Sequence, residues 1–326
     1  MKQLISQRKV CMNKTTLDVE SSDGHKIAVT VYTPQKPYVG HVHIFHGMAE
    51  HQERYEDFAK FLTDHHYVVS THDHRGHGAT AENNDAQFGY FAYENGFEVV
   101  VEDAHFAVQA ARANFEDLPK PVILGHSMGS FIARRYIQHY SDEISKVLIM
   151  GTGSFNALHK AGLIVAKVLA KQKGPQVEAK LLEQLSFGTY NSRISTVYSP
   201  SDWLSTDRDE VRKYDADERC GFTCTNQFYV DLLSGMQLVS KESEINKIRK
   251  DLPILLISGK EDPVGEYGKG VWRVANQYYH AGFTHVAIHL FENKRHEILN
   301  ETNNEIVYKT ILKWLEKKVH ERAKAV

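Results

Sequence analysis

Pro121-Val122-Ile123-Leu124-Gly125-His126-Ser127-Met128-Gly129-Ser130 joins a short apolar run of strand type to a serine flanked by glycines. Phe131 to Ile137 follows, with Ile132, Ala133, Tyr136 and Ile137 at helical spacing. Strand, Gly-x-Ser-x-Gly and helix, in that order, are the context of a nucleophile elbow, a turn so tight that its serine takes unfavourable backbone angles. Glycines two before and two after leave room for the neighbouring backbones. The Ser127 hydroxyl is then expected above the end of a sheet. The Met128 amide would sit at a helix N-terminus, where an oxyanion is favoured. Five residues alone also fit an ordinary strand-to-helix turn, so the rest of the chain must supply the partners.

Working outward, strands alternate with helical stretches. Leu17 to Thr33 has the alternation of a hairpin around Ser22-Asp23-Gly24. His41 to Phe45 predicts a strand ending at His46-Gly47-Met48-Ala49-Glu50-His51, and Tyr67 to Ser70 predicts one running into Asp73-His74-Arg75-Gly76-His77-Gly78. A long helix over 97–115 precedes the elbow strand, and Lys146 to Gly151 follows it as the next strand. The rhythm then stops. From about Phe155 to Ser240 there are helices and turn-rich loops but no buried strand pattern. It resumes with a strand over 253–259, a helix over 270–280, a strand over 285–290 and a helix over 305–318. This predicts the α/β class: a mostly parallel sheet flanked by helices, with a helical cap inserted. The expected division is core over 1–153, cap (lid) over 154–240 and core again over 241–326.

A chain of 326 residues has room for one large α/β domain with such an insertion. Its 42% hydrophobic and 25% charged residues are ordinary for a globular protein. A net charge of -2 gives no reason to expect nucleic acid as a partner. Cys11, Cys220 and Cys224 imply no disulfide framework. Basic residues in Met1 to Lys9 are followed by no apolar core of signal-peptide length, and no run approaches ~20 apolar residues. A soluble, cytoplasmic protein is expected.

An elbow serine needs a base and an acid in the chain order Ser, Asp, His. Asp262, in Ile257-Ser258-Gly259-Lys260-Glu261-Asp262-Pro263, leaves the strand after the cap. His296, in Asn293-Lys294-Arg295-His296-Glu297, leaves the last strand. His296 would take the Ser127 proton on attack and return it to the leaving alcohol, while Asp262 holds the imidazole tautomer. A loop histidine among 19, or a lone Asp-Pro, is ordinarily a surface feature. Both strand ends filled in the expected order is the distinguishing observation, with Glu261 as fallback acid. The oxyanion hole needs a second amide from the loop after an early strand, and Met48 is the candidate beside Met128.

His46-Gly47-Met48-Ala49-Glu50-His51, Asp73-His74-Arg75-Gly76-His77-Gly78, Gly125-His126-Ser127-Met128-Gly129, Asp262-Pro263-Val264-Gly265 and Arg295-His296-Glu297-Ile298-Leu299-Asn300-Glu301 together resemble the monoacylglycerol lipase / lysophospholipase group of α/β-hydrolases. The resemblance runs from about Val19 to Trp314. It implies the α/β-hydrolase fold, Ser127, Asp262 and His296 as triad, Met48 and Met128 as the hole, and hydrolysis of long-chain acyl esters without a cofactor. Ser130 stands where the group often has a third glycine, and Thr80 where a serine often follows Gly-His-Gly. The cap resembles the group least, and it would shape the acyl and head-group pockets. The substrate expected is a monoacylglycerol or lysophospholipid; a small-ester esterase, an iminopeptidase-type peptidase using Glu183, Glu210 and Glu218, and a slow or non-catalytic ligand receptor are the alternatives.

Other features carry weaker signals. His41, His43 and His46, and His72, His74 and His77, invite a metal, but no Asp precedes His77 and strand alternation sets His46 opposite His41 and His43. No metal is expected there, and Cys220 and Cys224 read as buried or idle thiols. In Ala161 to Lys171 the lysines 160, 167 and 171 share one stripe of an otherwise apolar helix. It is either a cap helix packed on the core or a lid that also touches an anionic lipid surface. Leu163, Ile164, Phe222 and Phe228 are the expected substrate-binding residues, with Tyr229, Leu232, Leu233 and Met236 as further tunnel candidates. Asp73 and Asp103 are expected to tie loops together. Oligomeric state has no signal.

Overall fold

A computed structural model describes residues 12–115 and 117–317 of the chain. Met1 to Lys9, Cys11 and the last residue of the expected C-terminal helix, Lys318, lie outside the described residues.

Eight strands form one sheet: β1 (Asn13–Glu20), β2 (Lys26–Thr33), β3 (Gly40–Phe45), β4 (Tyr67–His72), β5 (Val122–His126), β6 (Lys146–Met150), β7 (Ile254–Gly259) and β8 (Val286–Phe291). Their order is β1-β2-β4-β3-β5-β6-β7-β8. β2 pairs antiparallel with β1 and β4, and every other pairing is parallel. β3 to β7 are buried along nearly their whole length, as strands covered on both faces must be.

Alternate side chains build the two layers. On one face Phe45, Ile123, Ile149 and Leu256 pack under helices Gly96–Arg112, Met128–Tyr140 and Lys269–His280. On the other, Ile44, Leu124, Leu148 and Ile257 pack under helices Glu56–Asp64 and Glu305–Glu316. The chain leaves β3 for β4 on one side and returns to β5 on the other, so the C-terminal ends of β3 and β5 flank the switch point at which α/β sheets bind ligands.

Between β6 and β7 the described residues form helices and loops with one isolated bridge, Glu178 to Thr225. Helix Asn226–Val239 is the piece of this segment most tightly joined to the sheet layer. It packs on Ala157–Lys173, on the helix after β5 and on Gly96–Arg112. Gly235 lies so close to the Phe97 ring that a Cβ there would come within 2.4 Å of it. Some boundaries differ from the sequence pattern. The helix expected over 97–115 ends at Arg112, and β4 runs on to His72, where hydrogen bonding to β2 continues through His72 opposite Val29. A short helix, Gly78–Asn83, begins at the second glycine of Gly76-His77-Gly78.

Candidate active site

The turn at Ser127 has the expected strain. Ser127 adopts φ 51° and ψ −117°, a left-handed region that costs a non-glycine residue on the order of 1–3 kcal/mol. Its amide donates to the Met150 carbonyl (2.9 Å), tying the turn to β6. A Cβ at Gly125 would fall 2.2 Å from the Gly129 carbonyl oxygen, and one at Gly129 2.2 Å from that of Phe45. The glycines are therefore required by close approach of the helix to β5 and β3. Ser130, fully buried, fits in place of a glycine and donates its hydroxyl to the Ser127 carbonyl (2.5 Å).

His296 and Asp262 meet at the same rim. His296 Nδ1 lies 2.9 Å from Asp262 Oδ1. Asp262 also accepts from the Val264 amide (2.9 Å) and, through Oδ2, from the Ser258 hydroxyl (2.8 Å). Burial pushes the Asp262 carboxyl up, but His296 and these donors outweigh it and hold it below the usual carboxylate value. The other imidazole nitrogen, Nε2, is buried and has no hydrogen-bond partner among the described residues. Close approach again positions the loop: a Cβ at Gly259, the last residue of β7, would strike the carbonyls of Lys294 and Arg295. Glu261 is exposed and does not face His296 as a buried acid would.

Met48 and Met128 line the same cavity as Ser127 and His296. Met128 begins its helix, so its amide has no intrahelical acceptor. The loop carrying Met48 is pinned from below. Glu50, buried, accepts from the Gly47 amide (2.5 Å) and from Arg54 (2.9 Å), and lies 3.2 Å from His126 Nδ1. Tyr55 Oη is 2.9 Å from both Glu50 and His126. Arg54 reaches across to Glu297, next to His296, with two further bonds (2.5 and 2.7 Å). Burial alone would raise Glu50, yet His126 and Arg54 hold it well down as a carboxylate. Burial would lower His126, yet Glu50 holds it up. A linked set of buried charges thus connects the Met48 loop to the His296 loop.

A model of the serine aminopeptidase S33 family of hydrolases matches residues 36–303. The chain belongs to that family. The sequence is similar to a monoacylglycerol lipase of Mycolicibacterium smegmatis, 26% identical over 297 residues, which are 90% of this chain and 93% of the relative. It is also similar to proline iminopeptidase PfmaB of Pestalotiopsis fici, 27% identical over 53% of this chain and 56% of that protein. Among solved structures, a thermostable carboxyl esterase from Bacillus coagulans superposes with a TM-score of 0.86, at 28% identity, over 94% of this chain and 98% of that one. The α/β-hydrolase fold expected from the five motifs is the fold observed.

The hydrolase's cavity measures about 410 Å³, within the range of small-molecule sites. Of the four residues expected to bind substrate, only Phe222 lines it. Leu163 is buried against helix Asn226–Val239, whose Leu233 approaches Gly162 beside it. Ile164, one position on, faces away and is 60% exposed. Phe228 is fully buried between Phe91 (ring centroids 4.6 Å apart) and His77, beneath the lining rather than in it. A helix turns about 100° per residue, and composition does not say which apolar positions meet the cavity. Tyr229, Leu232, Leu233 and Met236 do line it. So do Phe187, Tyr190 and Trp203, a packed aromatic group whose Trp203 ring stands 5.1 Å from His296. Phe187 ends helix Lys180–Phe187, and Tyr190 and Trp203 come from the turn-rich stretch after it. The signal for Glu50 and Glu297 is in the sequence, since they stand inside two of the motifs, whereas Arg54 lies outside all five.

The histidines singled out by spacing are used structurally. His41 and His43 both bond the Ser70 hydroxyl, His43 bonds His72, His72 bonds His74, and the His74 amide donates to His46. His46 lies beyond the end of β3, so strand alternation does not govern it, and its ring packs on His74. Asp73 binds the amides of Gln52 and Ala79, and Asp103 pairs with Arg75. Thr80 bridges Asp73 and Ala28. Cys220 and Cys224 are buried and form no disulfide among the described residues.

Proposed function

We propose that the protein is a serine carboxylester hydrolase that cleaves single-chain lipid esters, a monoacylglycerol or a lysophospholipid. The observation that carries this is the His296 imidazole. It is fixed through Nδ1 by Asp262, and Nε2 has no partner among the described residues at a cavity shared with the strained Ser127. Ser127 Oγ forms the bond to the ester carbonyl carbon while His296 takes its proton. The Met48 and Met128 amides stabilise the oxyanion. Collapse breaks the carbon–oxygen bond to the alcohol, which leaves with the proton from His296. Water then attacks the acyl-enzyme by the same route and frees Ser127.

The lipid assignment is supported by the wall, where Phe131, Leu232, Leu233 and Met236 can take an acyl chain. Residues 154–240 act as the cap in this reading. Its outer face adds support for contact with a lipid surface. Leu158, Ile164 and Val168 are exposed beside Lys160, Lys167 and Lys171, and Leu181 and Leu185 are exposed on the next helix. The peptidase alternative needs acids for a free amino group. Of Glu183, Glu210 and Glu218 only Glu183 lines the cavity; Glu210 pairs with Lys213 and Glu218 sits in a separate depression. Glu50 and Glu297 are already satisfied by Arg54.

The test is a hydrolysis panel of p-nitrophenyl esters, monoacylglycerols, lysophospholipids and prolyl amides, run beside Ser127→Ala. Fatty-acid release from the lipids that vanishes in Ser127→Ala supports the reading. Cleavage of only acetyl or butyryl esters replaces it with a small-ester esterase, and proline release with a peptidase. Labelling of Ser127 without turnover indicates a receptor.

A further inference from the structure

Outside this cavity, one cluster of side chains among the described residues has the composition of a metal site. His51 ends the loop that carries Met48, and Asp217 and Cys220 lie on the turn after helix Arg208–Ala216. One donor atom from each lies within 4.8 Å of the other two. His51 Nε2 is 2.8 Å from Asp217 Oδ2. His51 and Cys220 are 4% and 9% exposed, so two of the three donors are withdrawn from water. Asp217 is half-exposed and, with His51, borders a surface depression that gives a route from solvent. Among the described residues His51 Nδ1 is buried without a hydrogen-bond partner and the Cys220 thiol is in no disulfide.

We propose that His51, Asp217 and Cys220 form a binding site for a divalent cation of the zinc type, clamping the cap turn to the loop that carries Met48. One thiolate, one imidazole and one carboxylate match the preference of Zn²⁺ and exclude Mg²⁺ and Ca²⁺, which select oxygen ligands. Metal–ligand bonds of about 2.0–2.3 Å in a tetrahedron put donors roughly 3–4 Å apart, so the His51–Asp217 pair, now at 2.8 Å, opens slightly around the ion while Cys220 Sγ, within 4.8 Å of both, completes the trio. The fourth position is left for water from the depression. Burial keeps the Cys220 thiol protonated, so the cation itself must drive deprotonation. That proton leaves to solvent. The neutral imidazole keeps its single proton, moved to Nδ1, the nitrogen without a partner. The clamp would reinforce two bonds already joining the same segments, from the Gly221 amide (2.9 Å) and the Tyr214 hydroxyl (3.0 Å) to the Ala49 carbonyl, one residue past Met48.

Nothing in this site depends on the roles given to Ser127, Asp262 or His296, so its test is read without turnover. Full-length protein is titrated with Co²⁺, whose thiolate charge-transfer absorption reports a sulfur ligand, and Zn²⁺ is then added in competition. The expected result is one equivalent of Co²⁺ per chain, displaced by Zn²⁺. Cys220→Ser should abolish the band, and Asp217→Asn should weaken Zn²⁺ binding about tenfold or more. Cys11→Ser and Cys224→Ser should bind as the parent does. Folding of each variant is checked by its thermal transition, and Asp217→Asn, at a half-exposed position, carries the test if Cys220→Ser unfolds. No saturable thiolate band, a band that survives Cys220→Ser, or Zn²⁺ affinity unchanged in folded Asp217→Asn would overturn the proposal.

Discussion

At single positions, the elbow shows how hydrogen atoms in place of side chains determine geometry. A methyl group at residue 129 would lie 2.2 Å from the Phe45 carbonyl oxygen, far inside contact distance, and the obstacle is backbone that cannot rotate away. Gly129→Ala should therefore lose about 2–4 kcal/mol in urea unfolding and shift the Met128 amide, lowering kcat in the fraction that folds. Behind the histidine, Asp262→Asn keeps the volume but offers an amide where Nδ1–H needs an acceptor. Turnover should fall about 10⁴-fold with little change in KM. Glu261→Gln, at an exposed position, should leave turnover near the parent value, and a large loss there would reassign the acid.

Between elements, the buried charges under the site do what packing alone could not. Arg54, on the short turn before helix Glu56–Asp64, bonds Glu50 on the Met48 loop and Glu297 on the His296 loop. Both carboxylates are almost fully buried. Arg54→Ala would leave the buried Glu297 carboxylate without its charged partner and take one of several donors from Glu50, at a cost of about 3–5 kcal/mol. It should also loosen both loops, so thermal unfolding and kcat should drop together. Arg54→Lys keeps the charge but cannot make the two-pronged bond to Glu297, and should recover stability only in part. A variant as stable as the parent would show that the bridge contributes nothing.

Across the whole molecule, six buried histidines set the response to acid. Burial, the main cause, lowers His41, His72 and His77 to about 3 and His46 to about 4, and pushes His43 and His74 well down. All are neutral in the fold, whereas in the unfolded chain they gain protons below about 6.5. Stability is therefore present above the unfolded value and is lost as pH falls from about 6.5 toward the folded values. Each group contributes about 1.4 kcal/mol per pH unit in that window. His126, held up by Glu50, has the opposite sign: its contribution is full below the unfolded value and is lost as pH rises through the folded one. The six histidines outweigh His126 and the two carboxyls that burial raises, Asp73 to about 6 and Asp231 to about 7, so urea unfolding at pH 5 should show several kcal/mol less stability than at pH 7. Equal stability at the two pH values would mean that these rings are not held neutral by burial.

The amino-acid sequence by itself determined the strand and helix rhythm, the interruption after Gly151 and the three loops that carry serine, acid and histidine. These are local signals: periodicity of 2 or 3.6, glycines at an obligatory turn, and chemistry-bearing residues just past strand ends. Only the tertiary structure decided which cap side chains face the cavity, turning Ile164 outward, Leu163 and Phe228 inward to packing, and Trp203 toward His296. It alone brought His51 beside Cys220, and Arg54 between two carboxylates 247 positions apart in numbering (297 − 50). The physical reason is that helix rotation and loop–loop proximity depend on how separately specified elements pack against each other, and no window of sequence contains both partners.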